Sequence, residues 1–269
     1  KPSVRNIEND AVRKIVEETE MSINSAKEQT VILKSNLSKN IKQVEHTLDD
    51  EVKNIKNKTV ICVAGGASLD NNIEGLKLKS KYDDIIIIAV GTVYKKLRNA
   101  GIIPDYVLIT DAKETMRNQI ADVDSAGTVL LYLSTVNRAV VDTWKGEKRI
   151  VFQKGMDEAE LYALRRGLIT VDTGGSVGTT AISIAVKAGA SKIICVGLDL
   201  AFINGYTHAS GTNAKKKKKK KKMRKVKSVN GEEIPTYTNL DIYRHWIERY
   251  IKDIDNVEFI NCSGGAYIE

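Results

Sequence analysis

The chain has 269 residues, 42% of them hydrophobic, and its 42 lysines and arginines outnumber its 34 acidic residues. This is enough apolar chain for a buried core in one large or two modest domains. The longest apolar run, at 85–90, is too short to cross a membrane, so we expect no membrane span and no secretory leader. Three cysteines do not make a disulfide framework, and we therefore expect a soluble, cytoplasmic protein.

The net charge of +8 comes from one tract of the chain. Residues 215–222 are eight consecutive lysines, and without them the chain has 34 basic and 34 acidic residues. Like charges at this density repel one another, which is typical of a solvated loop, so we predict a flexible lysine-rich insert over 213–228. A binding patch for phosphate, anionic lipid or RNA is the alternative, although the neutral remainder does not favour a nucleic-acid partner.

The first predicted element is helical. Residues 3–64 contain neither Gly nor Pro, and apolar side chains recur between Leu37 and Ile55 in steps of three and four residues. We predict one or two amphipathic helices in an N-terminal segment, 1–58. They would pack on the main domain, on a partner subunit to form an oligomer, or on a part of the protein beyond this chain.

From residue 59 the pattern changes to short β-branched runs that alternate with helical stretches. Runs that are apolar throughout suit a parallel sheet covered on both faces. The predicted fold class is therefore α/β, a doubly wound, Rossmann-like, mainly parallel sheet over 59–269. The predicted strands are 59–64, 85–90, 106–110, 128–133, 149–152, 193–196 and 258–261, and the predicted helices are 71–78, 92–100, 114–120, 136–143, 157–165, 176–188 and 240–254.

Open parallel sheets bind ligands at the carboxyl ends of their strands, and the first strand ends in a glycine-containing turn. Gly65 and Gly66 would let the backbone approach a ligand closely, and Ser68 could cap the next helix or donate to a phosphate. The turn has neither the spaced glycines of a dinucleotide site nor the Gly-Lys-Ser/Thr of a P-loop. A tight strand-to-helix turn without a ligand explains it equally well.

A second candidate site lies where the predicted helix 176–188 begins. The residues before and at its start are Thr173, Gly174, Gly175 and Ser176. A helix N-terminus offers an anion free backbone amides and the positive end of the helix dipole. Close packing on the sheet would need one or two small residues rather than this cluster, so the pattern favours ligand binding.

The third candidate site follows the predicted strand 193–196. Asp199 stands near the end of that strand, and Tyr206 and His208 lie in the polar, glycine-containing loop that comes next. His46 and His245 fall in predicted helices, so His208 is the histidine best placed for acid–base work. Simple solvation of a loop histidine is the alternative.

Asp111 is a further candidate because it follows the predicted strand 106–110. A carboxylate in that position could hold ribose hydroxyls or a divalent cation such as Mg²⁺. A cap on the helix that follows is the alternative.

In this order and spacing, these motifs resemble the central domain of the motility-associated factor (Maf) flagellin glycosyltransferases, over 59–269. That domain is shared with 6-hydroxymethylpterin diphosphokinase-like proteins, and it is more distantly similar to the bacterial sialyltransferases of glycosyltransferase family 42. The resemblance is carried by 65–69, by 104–106 with Asp111, by 173–177, by 197–202 with 205–208, and by the closing residues 261–268.

The resemblance implies a CMP-sugar-dependent, inverting transferase that moves a nonulosonic acid of pseudaminic, legionaminic or sialic type. The acceptors would be Ser or Thr hydroxyls of flagellin, and the modification would serve flagellar assembly and motility. No tightly bound cofactor is implied, and Mg²⁺ at Asp111 is left open.

The resemblance also implies roles for individual residues. The turn at 65–68 and the loop at 173–176 would hold the nucleotide, together with Asp111 and Asp199. His208 would deprotonate the acceptor, and Tyr206 would hold the departing phosphate. The chain departs from the family at Ala67, where Pro is usual, near 90–92, which lacks an Asn, and near 201–202, which lacks a Tyr.

Two other functions remain open at this point. A 6-hydroxymethylpterin diphosphokinase would use ATP and Mg²⁺, and it would need Asp111 or Asp199 as a metal ligand. A flagellin-binding assembly factor could keep the fold without turnover.

Overall fold

The structure, a computed structural model, describes residues 9–212 and 223–269. Its strands are β1 (Thr59–Val63), β2 (Ile85–Val90), β3 (Tyr106–Ile109), β4 (Val129–Leu133), β5 (Lys148–Gln153), β6 (Thr170–Val171), β7 (Lys192–Val196), β8 (Met223–Lys227), β9 (Glu233–Tyr237) and β10 (Glu258–Asn261). Its α-helices are α1 (Asp10–Asn40), α2 (Val52–Ile55), α3 (Leu69–Lys77), α4 (Gly91–Asn99), α5 (Arg138–Thr143), α6 (Asp157–Leu164), α7 (Val177–Lys187) and α8 (Thr238–Lys252). The lysine run, predicted to be flexible, lies outside the described residues.

The main sheet has the strand order β10-β7-β1-β2-β3-β4-β5-β6, and neighbouring strands are parallel throughout. The chain moves outward from β1 to β6 and then returns through α7 to place β7 on the other side of β1. The carboxyl ends of β1 and β7 therefore flank the point where the direction of winding reverses, which is where open α/β sheets bind ligands. The predicted α/β class is confirmed.

The centre of the sheet is buried on both faces. Ile87 in β2, Leu108 in β3 and Leu130 in β4 have no exposed surface, because helices cover the sheet on each side. Burying a side chain of this kind contributes about 2 kcal/mol. No helix within the described ranges is both long and apolar enough to span a bilayer.

The N-terminal segment contains one long helix, but the apolar stripe predicted from Leu37 to Ile55 is not continuous. Helix α1 ends at Asn40, and the chain then pairs Thr47 with Ile150 beside β5 before the next helical turn begins. Thr47 caps that turn, in which the Asp50 carboxylate accepts from the Thr47 amide at 2.8 Å. This cap redirects the chain and breaks the stripe into separate pieces.

Helix α1 packs on the main domain, which was one of the three predicted possibilities. The buried side-chain amide of Asn36 donates to the carbonyls of Ala112 and Thr135, at 3.1 and 3.0 Å. The amide of Asn40, also buried, donates to the carbonyl of Ser134 at 2.9 Å. These carbonyls follow β3 and β4, so α1 covers that part of the sheet's carboxyl edge.

A buried ion pair joins the same segment to the sheet. Glu51 accepts from Arg149 Nε at 2.5 Å and from the Tyr106 hydroxyl at 2.7 Å. Burial works to raise the pKa of Glu51, but hydrogen bonds from Tyr106, Asn54 and Arg149 outweigh it and leave that pKa below its ordinary value. The carboxylate is therefore ionised and fully engaged at neutral pH.

Residues 223–227 form strand β8, where the sequence analysis predicted a flexible insert up to 228. The strand pairs with β9 in an antiparallel hairpin, and neither strand was predicted. Arg224 is held by Glu17 of α1 at 2.5 Å and by Asp241 of α8 at 3.1 Å. A basic residue with two carboxylate partners is fixed rather than solvated, which is why charge composition misled the prediction.

The predicted helix at 114–120 is a 3₁₀ helix, Glu114–Gln119.

Candidate functional site

A cavity of about 430 Å³ lies at the reversal point, at the carboxyl ends of β1 and β7. This volume is within the usual range for small-ligand sites. Its lining includes Gly65 and Gly66 after β1, Thr92 in α4, Ser176, Val177 and Gly178 at the start of α7, Leu198 and Asp199 after β7, Thr207 and His208 in the next loop, and Tyr237, Asn239 and Tyr243 around the start of α8.

The turns after β1 and β7 are joined directly. The Gly66 amide donates to the Gly197 carbonyl at 2.6 Å, and Ser68 donates to Asp199 from its amide at 2.8 Å and from its hydroxyl. A Cβ on Gly66 would lie 2.5 Å from both the Asp199 carboxyl carbon and the Gly197 carbonyl oxygen. We call this set of contacts between the two turns the joint. Gly66 is required there because a side chain would clash with Asp199 and Gly197, and the Ser68 hydroxyl is already used in its hydrogen bond to Asp199.

The Asp199 carboxylate forms the centre of the joint, although the sequence suggested a nucleotide ligand. The residue is 2% exposed, and burial raises its pKa above the ordinary value. Hydrogen bonds from Ser68 and from the amides of Gly264 and Ala67 act in the opposite direction. With these donors around it, the carboxylate has little capacity left for a ligand.

The hydroxyl groups at the start of α7 mostly satisfy one another. Ser176 caps the helix by accepting from the Thr179 amide at 3.1 Å, and its own amide donates to Thr179 Oγ1 at 3.0 Å. The amides of Val177 and Gly178, at the first two helical positions, have no carbonyl one turn earlier to receive them. Both residues line the cavity. The groups left to contact an anion in this region are therefore these two amides.

Gly174 and Gly175 serve helix packing and do not line the cavity. Both have left-handed backbones, with φ of +57° and +84°. A Cβ would lie 2.5 Å from the Trp246 ring at Gly174, and 2.9 Å from the Tyr243 ring at Gly175. The two glycines let α8 approach closely. The Thr173 carbonyl accepts hydrogen bonds from the hydroxyls of Thr179 and Thr180 in α7.

His208 lies on the cavity wall as the sequence analysis suggested. Its ring packs beside Gly65, where an added Cβ would lie 3.4 Å from His208 Cδ2. His208 Nδ1 is 2.9 Å from Thr207 Oγ1. The next residue fixes the loop, because the Ala209 amide donates to the Gly65 carbonyl at 2.9 Å.

A charged clamp, formed by Asp70, Lys96 and Ser210, holds the same loop from the other side. Lys96 Nζ lies 2.6 Å from the Asp70 carboxylate and donates to the Ser210 carbonyl at 3.0 Å. The Ser210 amide donates to Asp70 at 3.0 Å. Burial works to raise the pKa of Asp70, but Lys96 and Ser210 outweigh it and the pKa is lowered. Helices α3 and α4 thus fix the backbone two residues beyond His208.

Tyr206 and Asp111 do not join the other candidates in this cavity. Tyr206 lines a separate cavity of about 300 Å³, whose lining shares His208 with the first. Asp111 accepts from the Lys113 amide at 3.0 Å in a local turn after β3 and lines neither cavity.

The residues present do not fit a Mg²⁺ site at either predicted carboxylate. Asp199 is surrounded by hydrogen-bond donors, and Asp111 lies away from the cavity. Over 9–212 and 223–269, no three His, Cys, Asp or Glu side chains are grouped as metal ligands would be.

Sequence reasoning did not single out several cavity residues, among them Thr92, Tyr237, Asn239 and Tyr243. The signal for Tyr237 and Asn239 was the run Ile-Pro-Thr-Tyr at 234–237, where β-branched and aromatic residues directly precede a helix.

Comparisons with known proteins add two findings. Residues 34–205, more than half of the chain, match the family described as 6-hydroxymethylpterin diphosphokinase MptE-like, and the match ends before His208. The fold is similar to that of the MAf glycosyltransferase from Magnetospirillum magneticum AMB-1, with a TM-score of 0.65 and 23% sequence identity. That similarity covers 83% of this chain and 38% of the other, so this chain spans well under half of that protein. No curated protein sequence matches the chain.

Proposed function

This chain belongs to the 6-hydroxymethylpterin diphosphokinase MptE-like family, and from that premise we propose that it is the core of a glycosyltransferase. It transfers a nonulosonic acid from a CMP-activated donor to a Ser or Thr hydroxyl of flagellin. The observation that carries the proposal is that His208 and the first two amides of α7 line the same reversal-point cavity. The similarity in fold to a MAf glycosyltransferase supports the choice of reaction.

In this proposal the donor nucleotide occupies the cavity at the reversal point. Its phosphate binds the amides of Val177 and Gly178, where the positive end of the α7 dipole stabilises negative charge. Tyr237 and Tyr243 supply aromatic surface for the cytosine ring, and Asn239 supplies a polar group at the same wall. These residues replace Tyr206 and the loop at 173–175 as the proposed nucleotide contacts.

His208 acts as the base. In the tautomer in which Nδ1–H donates to Thr207 Oγ1, Nε2 carries the lone pair of the ring and takes the acceptor's hydroxyl proton. The acceptor oxygen then bonds to the anomeric carbon, and the bond from that carbon to the phosphate oxygen breaks. CMP departs with the electron pair, and the amides of α7 stabilise the charge on its phosphate.

The family description favours one second candidate, an ATP-dependent diphosphokinase. That reaction would need Mg²⁺ ligands other than Asp199, whose carboxylate is already surrounded by donors. A flagellin-binding assembly factor without turnover is the third possibility.

The test is the thermal stability of the purified chain with CMP, CDP, ATP and GTP, each with and without Mg²⁺. A ligand that binds the folded state adds about 2.7 kcal/mol of stability at a hundred times its dissociation constant. We expect a shift with the cytidine nucleotides alone. A shift with ATP and Mg²⁺ alone would favour the diphosphokinase, and no shift with any nucleotide would favour the assembly factor.

One variant checks that the nucleotide binds in this cavity. Asn239→Asp places a negative charge on the cavity wall at the second position of α8, where an acidic residue suits the helix. We expect it to abolish the cytidine-dependent shift while leaving the melting temperature of the free protein nearly unchanged. Asn137→Asp, at the N-cap of α5, adds the same charge away from the cavity and should bind normally.

A further inference from the structure

The first half of helix α1 has an inner face that is bound to the rest of the domain. Glu17 accepts from Arg224 of β8 at 2.5 Å, and Glu18 accepts from Arg249 of α8 at 2.6 Å. Met21, on the same side of the helix, lies beside the glycine loop that precedes α7. These contacts fix which side of α1 faces the domain.

The opposite side of this half of α1 carries a stripe of branched side chains. Val12, Val16, Thr19 and Ile23 follow one another in steps of four, three and four residues, which is the spacing of a coiled-coil seam. Because one helical turn takes 3.6 residues, these four lie on the side of the helix away from Met21. Val12 and Ile23 are each 46% exposed, and Thr19 is exposed as well. We call these four residues the α1 stripe.

The domain limits how another helix can lie along the α1 stripe. Leu37 continues the spacing of the stripe two heptads after Ile23, but it is only 3% exposed because the domain covers that side of the helix there. A parallel pair of α1 helices would force the covered ends of two copies against each other. An antiparallel pair keeps those ends apart, at opposite ends of the contact.

Two charged side chains beside the stripe complement an antiparallel second copy. Arg13 and Glu20 are one heptad apart, so they lie along the same side of the stripe. When Val12 packs on the second copy's Ile23 in an antiparallel pair, Arg13 of each copy lies near Glu20 of the other. The same two residues of each chain thus supply two contacts between opposite charges.

The charges also select the register of the pair. A shift of one copy by a heptad would place Glu20 beside the second copy's Glu20, and like charges in contact oppose association. Arg13 pairs with Asp10 of its own helix, but both side chains are substantially exposed, and ion pairs of that kind contribute little. That pair therefore does not hold Arg13 away from a second copy.

We infer that the α1 stripe is a self-association surface, which pairs antiparallel with the α1 stripe of a second copy of this chain. The inference goes beyond the proposed function and does not depend on it. From Val12 to Ile23 the stripe extends about 17 Å, at 1.5 Å per residue. A contact of that length forms a reversible dimer, in which the inner face of each α1 stays on its own domain.

Sedimentation velocity of the full chain over a wide range of concentrations measures the association. We expect the mean mass to rise from that of the 29.7 kDa chain towards twice that value. Ile23→Glu places a negative charge within the stripe and should keep the chain monomeric. Val31→Glu is the matched control, because it adds the same charge to α1 at an 82% exposed position outside the stripe, and it should associate like the wild type.

Charge reversal tests the orientation. Arg13→Glu and Glu20→Arg each bring like charges together between two identical copies, so each should weaken association about tenfold. In a mixture of the two variants, every contact of this pair joins opposite charges again. The mixture should therefore associate like the wild type.

Cysteine cross-linking tests the register. Cys262 is exposed and is first replaced by Ser, whereas Cys62 and Cys195 are buried. Val12→Cys and Ile23→Cys are then made as separate proteins and treated with oxidised glutathione, alone and mixed. We expect a disulfide-linked dimer in the mixture and none with either protein alone.

Each contrary result overturns the inference. A chain that stays monomeric at every concentration and gives no cross-link leaves the α1 stripe to another segment of a longer protein. Association that survives Ile23→Glu assigns the contact to a different surface, and cross-linking of Val12→Cys alone shows a parallel pair. The nucleotide-binding test of the proposed function is independent of all these outcomes.

Discussion

Ser68 and Asp199 are joined by two hydrogen bonds across 131 positions of the chain, one from the Ser68 amide and one from its hydroxyl. The contact makes the turns after β1 and β7 a single unit. Both residues had been assigned to a nucleotide from sequence. Instead, the hydrogen bonds between them hold together the two turns that line the cavity.

The joint predicts that Gly66→Ala destabilises the protein by about 1–3 kcal/mol, as overpacking does, because the new methyl group would meet both the Asp199 carboxyl and the Gly197 carbonyl. Urea unfolding measures the change. Gly75→Ala is the matched control, since nothing lies within 4 Å of an added Cβ in the middle of α3. That control should gain about 0.5–1 kcal/mol. Equal stability of the two variants would argue against the joint.

The base assignment predicts that His208→Gln lowers the rate of transfer by about 10²–10⁴-fold, the usual contribution of a positioned base. Glutamine keeps hydrogen-bonding capacity but cannot take the proton. The measurement is kcat for transfer, together with cytidine nucleotide binding, which should persist. His46→Gln, on an exposed side chain, is the control and should retain full activity. A His208→Gln enzyme with normal kcat would rule out this role.

The clamp on the His208 loop predicts that Lys96→Met reduces kcat by about tenfold or more, since small displacements of a catalytic group are costly. Methionine keeps the length and loses the contacts to Asp70 and Ser210. Because Lys96 acts through the loop, the nucleotide affinity should change little. Lys192→Met removes an exposed ion pair with Glu258 at the opposite end of β7 and should not affect kcat. An equal loss of kcat in Lys96→Met and Lys192→Met would contradict the inference that the clamp positions His208.

The buried Glu51–Arg149 pair predicts a defined pH dependence. Because the folded-state pKa of Glu51 lies below its ordinary value of 4.5, its contribution is present above that pH and is lost as pH falls through the folded-state pKa. Glu51→Gln leaves Arg149 unpaired at this contact and should lose about 3 kcal/mol at pH 7. Unfolding at pH 7 and below pH 4 should show the difference from wild type shrinking in acid. A constant difference would contradict the linkage.

The sheet could be predicted from sequence because its strands are apolar throughout. Runs such as 85–90 have no polar alternation, and burial on both faces is what requires that pattern. The order of the motifs was equally informative, since the resemblance named the 6-hydroxymethylpterin diphosphokinase-like domain and the family match confirms it. His208 was placed at the cavity by its position after β7.

The errors arose where a residue's partner lies far along the chain. Gly174 and Gly175 suggested a phosphate loop, but the reason for them is the aromatic side chains of Trp246 and Tyr243. Arg224 suggested a solvated tract, although Glu17 and Asp241 hold it. Local pattern cannot reveal such pairs, because composition and spacing carry no information on which distant segment packs against them.

The strand order also sets when the cavity can first exist. At the usual 5–20 residues per second of protein synthesis, Asp199 is made roughly ten seconds after Ser68. During that interval β1 has β2 on one side and an unpaired edge on the other, since β7 has not been made. The nascent chain therefore carries an exposed, apolar strand until its last third is synthesised, and a chain that stops before β7 would keep that edge open to association with other chains.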